Sequence, residues 1–266
     1  MKPFLKWAGN KYQIIERISA ALPAGKRLVE PFLGSAAVFL NTHYSAYLLA
    51  DINADLIALY QYLQTEGQCF IDYCRSFFDP AYNTEATFYQ QRHLFNATQD
   101  LRLKAALFIY LNKHCFNGLC RYNSSGNFNT PFGKSAKPYF PEKEMVYFQK
   151  MAAKASFSHA DFITTMRAAR SGDIVYCDPP YVPLSSTANF TGYSTNGFGI
   201  NEQLQLVGLA EALADQGIPV IISNHETEFT RHAYRNAKII SFEVQRYISS
   251  KGDQRNKVAE LLAIFS

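Results

Sequence analysis

Asp178, Pro179, Pro180 and Tyr181 follow directly on a short apolar run, "VYC". Proline has no amide donor and a fixed φ, so the pair cannot continue a sheet ladder and the strand has to end there. Asp178 then stands at the carboxyl end of a strand, where open α/β sheets put their ligands, with an aromatic ring three residues on. A carboxylate, a proline carbonyl outside any ladder and a ring are the parts needed to hold a planar amine. Such an amine is a poor nucleophile while its lone pair is delocalised into its own ring. Acceptors at Asp178 and the Pro179 carbonyl, one for each N–H, would make the nitrogen tetrahedral, aim its lone pair and stabilise the positive charge that develops on it. The same four residues also suit a plain turn in which Asp caps and Tyr packs, so the rest of the chain must decide.

The elements that would position this tetrapeptide follow from periodicity. In "KYQIIERISAALP", Ile14, Ile15, Ile18, Ala21 and Leu22 share one helical face, and the helix halts at Pro23. "RLVEPFLGSAAVFLN" reads as a buried strand, a turn at Gly34 and the beginning of a helix. A second strand, 46–50, ends at Asp51, and a helix runs from about Asp55. This order resembles a nucleotide-binding β-α-β unit, in which the acid bonds ribose hydroxyls. "FLGSA" has one glycine where a dinucleotide fingerprint needs three, and "AGNKYQ" lacks the spacing of a phosphate loop. A nucleoside without phosphates fits better.

From about Leu56 to Phe140 the pattern is helical and then irregular: "LRLKAALFIYLNKH" predicts a helix, and "RYNSSGNFNTPFG" two short arms around a turn. Alternation then returns, with a helix over 142–155, the strand ending in Asp178, a helix over 201–216, the strand "PVIISNH", a helix from Glu226, and two closing strands joined by "SKGDQRNK". The expected fold is α/β: a Rossmann-like, mostly parallel sheet with a terminal antiparallel hairpin, plus an inserted, mainly helical domain carrying a β-hairpin. Residues 1–55 and 141–266 would form the main domain and 56–140 the insert.

Composition narrows the class. No apolar run approaches the roughly 20 residues that span a bilayer, and "MKPFLKWAGNKY" has no signal-peptide pattern, so a cytoplasmic location and no membrane partner are expected; a monomer in solution is expected besides. Five cysteines, Cys69, Cys74, Cys115, Cys120 and Cys177, and six scattered histidines lack metal-ligand spacing; reduced thiols and no metal are expected. The net charge of +4 is modest, but its distribution is uneven. Between Leu101 and Phe140 lie Arg102, Lys104, Lys113, Arg121, Lys134 and Lys137, with no acid and with Phe116, Tyr122, Phe128, Phe132, Tyr139 and Phe140 interleaved. Cations that meet phosphates and rings that stack on bases would make this a nucleic-acid surface; a solvated basic face over an aromatic core has the same composition. Arg246, Lys251, Arg255 and Lys257 pose the same choice near the last hairpin.

Asp51 for ribose, a loose glycine turn and Asp-Pro-Pro-Tyr at a strand end together suggest S-adenosylmethionine beside a planar amine, with a target base that leaves its duplex to stack on Tyr181. Adenine N6, cytosine N4 and RNA amines all remain open, as does a DNA-binding protein that keeps the scaffold without catalysis. Cytosine C5 chemistry would need a cysteine nucleophile, and Cys177 lies inside the strand. A nicotinamide enzyme lacks its glycine fingerprint.

Taken in order, "FLKWAGNKY", "VEPFLGSAAVFLN", "LADIN", "NGLCRYNSSGNFNTPFGK", "VYCDPPY", "ANFTGY" and "ISNH" resemble the Dam-type DNA adenine-N6 methyltransferases over nearly the whole chain. Members of that family use S-adenosylmethionine, without a metal, on double-stranded DNA at GATC. The resemblance implies cofactor contacts at Trp7, Lys11, Gly34, Asp51 and Asp178, and catalysis on a flipped adenine by Asp178, Pro179 and Tyr181. It implies DNA contacts at Lys6, Phe116, Asn117, Arg121 and Pro131, with Lys6 and Arg121 reading guanines, Phe116 entering the base stack and Asn117 supporting the opened site. An arginine fork on guanine O6 and N7 is worth about 1–3 kcal/mol of discrimination. Three positions depart from the family pattern. Phe-x-Gly-x-Gly stands as Phe32-Leu33-Gly34-Ser35-Ala36, Phe116 replaces a tyrosine, and Ser135 stands where close relatives have a tyrosine, so no phosphate contact is carried over there. Each residue also has a plainer reading: packing for Trp7 and Phe116, a solvated helix for Lys11, a helix cap for Asp51, a solvated turn for Arg121.

Overall fold

The computed structural model describes residues 1–183, 198–245 and 257–266. Its strands are β1 (Arg27–Glu30), β2 (Ala46–Asp51), β3 (Ala155–His159), β4 (Asp173–Cys177), β5 (Val220–His225), β6 (Lys238–Gln245) and β7 (Lys257–Phe265), ordered β3-β2-β1-β4-β5-β7-β6 in a seven-stranded sheet. β2, β1, β4 and β5 are parallel to their neighbours in that run, while β7 pairs antiparallel with both β5 and β6. Every residue of β4 and of β5 is buried, as in strands covered on both faces, so neither shows the apolar–polar alternation of a half-exposed strand. The α/β fold expected from the sequence, with its closing hairpin, is the fold observed.

By packing, the chain divides into two compact units. The first comprises Met1–Ile15, Leu33–Thr42 and Asp51–His159, so segment 56–140 packs with the amino-terminal residues and the glycine turn. It holds α2 (Ala54–Glu66), α3 (Gln68–Arg75), α4 (Glu85–Ala97), α5 (Leu101–His114) and α6 (Glu142–Ala152). α5 starts where the Asp100 carboxylate accepts the Arg102 and Leu103 amides, and from Ala105 to His114 it is buried without a break. Rings fill the core of this unit: Phe4 meets Phe148 edge-on at 5.3 Å, and Tyr60 stacks on Phe148 at 4.7 Å.

The second unit comprises Glu16–Phe32, His43–Ala50 and Ala160–Ser266. It carries α7 (Phe162–Arg167), α8 (Ile200–Ala214) and α9 (Glu228–Ala233) around a core in which Val175, Cys177, Leu206, Ile222 and Leu261 meet. α1 (Ile15–Ala21) follows a 3-10 turn, Lys11–Ile14, at the junction of the two segments of chain.

Three expectations change. No α-helix follows Gly34: Gly34 and Ala36 have φ of +49° and +63°, outside the right-handed helical region, and only a 3-10 turn forms, Phe39–Asn41. α6 ends at Ala152, three residues early, because 155–159 is taken by β3. Neither β3 nor α7 is apparent from periodicity; each is only five or six residues long. Among the described residues no helix is long and apolar enough to cross a membrane.

Candidate active site and nucleic-acid interface

In the first unit, Asp51 ends β2 and draws two backbone segments together. Its Oδ2 accepts the Gly34 amide and its Oδ1 the Asn53 amide, both at 2.9 Å. Asn53, not Asp51, caps α2 by accepting the Leu56 amide, so the helix-cap reading of Asp51 is replaced. Burial pushes the Asp51 carboxyl above its ordinary range, and the Gly34 and Asn53 amides pull it partly back. Tyr60 donates to the Gly34 carbonyl at 2.7 Å. A Cβ on Gly34 would stand 2.9 Å from the Trp7 indole nitrogen, so glycine is favoured on two counts, space and a positive φ. Lys11 is buried and donates to the Gly9 carbonyl at 2.6 Å. Trp7, Gly34 and Asp51 therefore form one cluster.

The same unit builds a second cluster at the end of α5. The Asn112 side chain, fully buried, accepts the Lys6 amide at 2.9 Å and donates to the Lys6 carbonyl at 2.8 Å and the Gly118 carbonyl at 3.1 Å. Lys6 is thereby tied to the turn Phe116-Asn117-Gly118, in which Asn117 and Gly118 both have positive φ. A Cβ on Gly118 would fall 2.4 Å from the Lys6 side chain. Phe116 remains 51% exposed, so the packing reading does not hold for it, and its amide donates to the Pro131 carbonyl at 2.9 Å. Beyond it, two arms face each other through antiparallel bridges, Cys115 with Phe132 and Tyr122 with Phe128, closed by an Asn123–Asn127 turn. On these arms the exposed Arg121 guanidinium donates from Nε to Asn129 Oδ1 at 2.7 Å and from Nη2 to the Asn129 carbonyl at 3.2 Å. The cluster gathers Lys6, Phe116, Asn117, Arg121 and Pro131.

In the second unit, β4 delivers Asp178. Ser223 on β5 donates to Asp178 Oδ1 at 3.1 Å, and Tyr176 donates to Ser223 at 3.1 Å. Pro179 is buried and Pro180 exposed. The Tyr181 ring lies edge-on to His225 at 4.7 Å, with its hydroxyl 3.4 Å from Glu260 Oε2. Burial first, and the Asp178 and Glu260 charges next, push the Tyr181 hydroxyl far up, so it stays protonated. Burial does the same to the Cys177 thiol, which removes the thiolate that C5 chemistry would need.

The family model for D12 class N6 adenine-specific DNA methyltransferases matches residues 7–248. The DNA adenine methylase of Escherichia coli strain K12 is 48% identical over 264 residues, 99% of this chain and 95% of that protein. The DNA adenine methylases of Vibrio cholerae serotype O1 and Serratia marcescens are each 48% identical, covering 100% and 99% of this chain and 96% and 98% of their own lengths. The chain belongs to the D12 class of N6 adenine-specific DNA methyltransferases.

That membership removes cytosine, RNA amines, nicotinamide chemistry and a non-catalytic scaffold from consideration. In this methyltransferase the sequence-predicted residues fall into three clusters, two in the first unit and one in the second. Those missed by sequence reasoning are the ones that hold them: Asn112, Asn129, Ser223, Gln203 and Asn224. Asn112, Ser223, Gln203 and Asn224 each bond a residue far along the chain, while Asn129 lies eight residues from Arg121 inside a quoted motif whose turn gave it no role. "ISNH" contained Ser223 and Asn224 but gave neither a role. The "ANFTGY" motif and Arg246, Lys251 and Arg255 lie outside the described residues. Lys257 is exposed and pairs with Glu243 at 2.8 Å, as a solvated hairpin would.

Proposed function

We propose that this adenine-N6 methyltransferase takes its methyl group from S-adenosylmethionine, without a metal, and acts within GATC in double-stranded DNA. Asp178 carries the reading. It stands at the carboxyl end of a central parallel strand, one oxygen held by Ser223, as an acceptor must be held to grip an amine in one orientation. Asp178 and the Pro179 carbonyl would accept the two N6 hydrogens of an extruded adenine, with the Tyr181 ring against the base. When bound, the sulfonium cofactor supplies an electrophilic methyl group.

The donor set fits a nucleoside cofactor. The Asp51 carboxylate, which accepts the Gly34 and Asn53 amides, would also accept a ribose hydroxyl. Trp7, half-buried beside Gly34, would offer its indole to a flat ring. Lys11 and Asp178 would complete the cofactor contacts. Lys6 and Arg121 would read guanines, Phe116 would wedge into the stack, and Asn117 and Pro131 would line the opened site, so that 56–140 acts as the recognition segment of a catalytic domain formed by 1–55 and 141–266. The monomer would be the working unit, in the cytoplasm beside chromosomal or phage DNA. Labelled cofactor incubated with duplexes that contain or lack GATC, followed by hydrolysis to nucleosides, tests the whole reading. Label in N6-methyladenine from GATC duplexes alone is the expected result, and equal label from duplexes without it would remove the sequence assignment.

A further inference from the structure

The backbone around Tyr181 is pinned from a direction that neither substrate nor cofactor chemistry requires. Gln203, on the first turn of α8 and 4% exposed, donates from Nε2 to the Pro180 carbonyl at 2.8 Å. Its Oε1 accepts from Asn224 Nδ2 at 3.2 Å. Asn224, fully buried on β5, also donates to the Tyr234 hydroxyl at 2.9 Å, and its Oδ1 accepts the Val182 amide at 3.0 Å and the His225 amide at 2.9 Å. An amide side chain has two donors and two acceptor lone pairs, and all four of Asn224's are used. The His225 Nδ1–H donates to the Val182 carbonyl at 2.6 Å.

The Pro180 carbonyl belongs to the peptide plane before Tyr181, and the Val182 amide to the plane after it. Fixing both planes fixes the direction in which the Tyr181 side chain leaves the backbone, because Pro180 has no freedom in φ and its ψ is set by the bonded carbonyl, and the edge of His225 at 4.7 Å holds the ring along that direction. A buried network satisfied in this way rigidifies what it holds. We infer that Gln203 and Asn224 are positioning residues that aim the Tyr181 ring at the extruded base. The inference rests on the stacking role proposed for Tyr181 and adds to it the pair that orients the ring.

The test uses full-length protein, S-adenosylmethionine and two GATC duplexes, one normal and one with 2-aminopurine at the target adenine, whose fluorescence rises when the base leaves the stack. Gln203→Met keeps the volume and removes the donor. Gln203→Glu keeps the acceptor for Asn224 and puts a second oxygen against the Pro180 carbonyl. Both variants should keep cofactor affinity and lose about 10- to 100-fold in kcat, the scale of a small misplacement at a reacting centre, together with most of the fluorescence rise, while their thermal midpoints fall because buried bonding groups lose partners. A buried carboxyl titrates above its ordinary range, and once protonated it donates to Pro180 as glutamine does. Activity of Gln203→Glu relative to wild type should therefore recover as the pH is lowered, and that of Gln203→Met should not. If Gln203→Met failed to fold, the recovery in Gln203→Glu would carry the test alone. Wild-type kcat and fluorescence in the Gln203 variants, beside a Tyr181→Ala variant that has lost both, would overturn the inference and leave the stacking role standing. Wild-type behaviour of Tyr181→Ala would sink the stacking role, and the inference with it.

Discussion

The role proposed for Asp178, gripping a neutral amine, needs an aimed carboxylate, and Ser223 with Tyr176 behind it supplies the aiming. Removing a preorganised partner of developing charge typically costs 100- to 1,000-fold in rate. Asp178→Ala should therefore lose at least about 100-fold in labelled methyl transfer with its thermal midpoint nearly unchanged; near-normal turnover would falsify the acceptor role. Asp51 makes a different demand, since it bonds backbone amides within the protein and would bond the cofactor besides. A hydrogen bond to a charged group is worth about 1.5–3 kcal/mol, so Asp51→Asn should weaken S-adenosylmethionine binding roughly 10- to 100-fold in calorimetry; unchanged affinity would take Asp51 out of the cofactor site. Both acids were legible in the sequence because each ends an apolar strand, a pattern that survives without coordinates. Ser223 and Asn112 were not, because a polar residue in a buried run says only that it has a partner, never which one; Gln203 was not, because it stands among exposed or half-buried residues on a polar first helical turn.

At the scale of elements, the long buried strands and helices were legible and the short ones were not. β4 and β5 were marked by the apolar stretches Ile174 to Cys177 and Val220 to Ile222, and α5 by its length. "FLGSAAVFLN" misled because its composition is that of a helix while its backbone is not: Ala36 is fully buried with φ of +63°. A left-handed alanine costs about 1–2 kcal/mol. Glycine there would relieve that strain, but would give back about 0.4–1 kcal/mol in unfolded-state entropy and about 0.8 kcal/mol for the buried methyl. The terms nearly cancel, so Ala36→Gly should change the unfolding free energy by less than about 1 kcal/mol. A β-branched side chain has no such relief and must also find room in a packed interior. Ala36→Val should cost more than about 2 kcal/mol. Denaturant titration of both variants checks the pair, and a tolerated valine would mean that this turn can leave the left-handed region.

For the molecule as a whole, the stability of the fold should follow pH through two buried basic groups at the end of α5. His114 is 1% exposed, packs on the Tyr110 ring at 4.1 Å, and donates from Nδ1 to the Tyr110 carbonyl at 2.9 Å. Burial holds its imidazole down at about 4, against an ordinary 6.5. Between those two values the unfolded chain binds a proton that the folded chain refuses, so stability is fully present above pH 6.5 and falls as the pH drops towards 4, by about 3 kcal/mol in all. Lys113 is held down at about 8, by burial first and by Lys6 second, against an ordinary 10.5. The same reasoning makes stability rise with pH from 8 to 10.5. Asp51, raised by burial, acts with the opposite sign, because a folded state that favours the protonated acid is weakened as the pH rises through its titration. Comparison with His114→Phe cancels every group the two proteins share, Asp51 and Lys113 included. The phenyl ring keeps the stacking on Tyr110 and cannot be protonated. Measured by denaturant unfolding, the stability of wild type relative to His114→Phe should be constant above pH 7 and fall by about 3 kcal/mol by pH 4. Parallel curves for the two proteins would mean that His114 takes up its proton in the folded state at an ordinary pH, and that the end of α5 beside the Phe116 turn admits water.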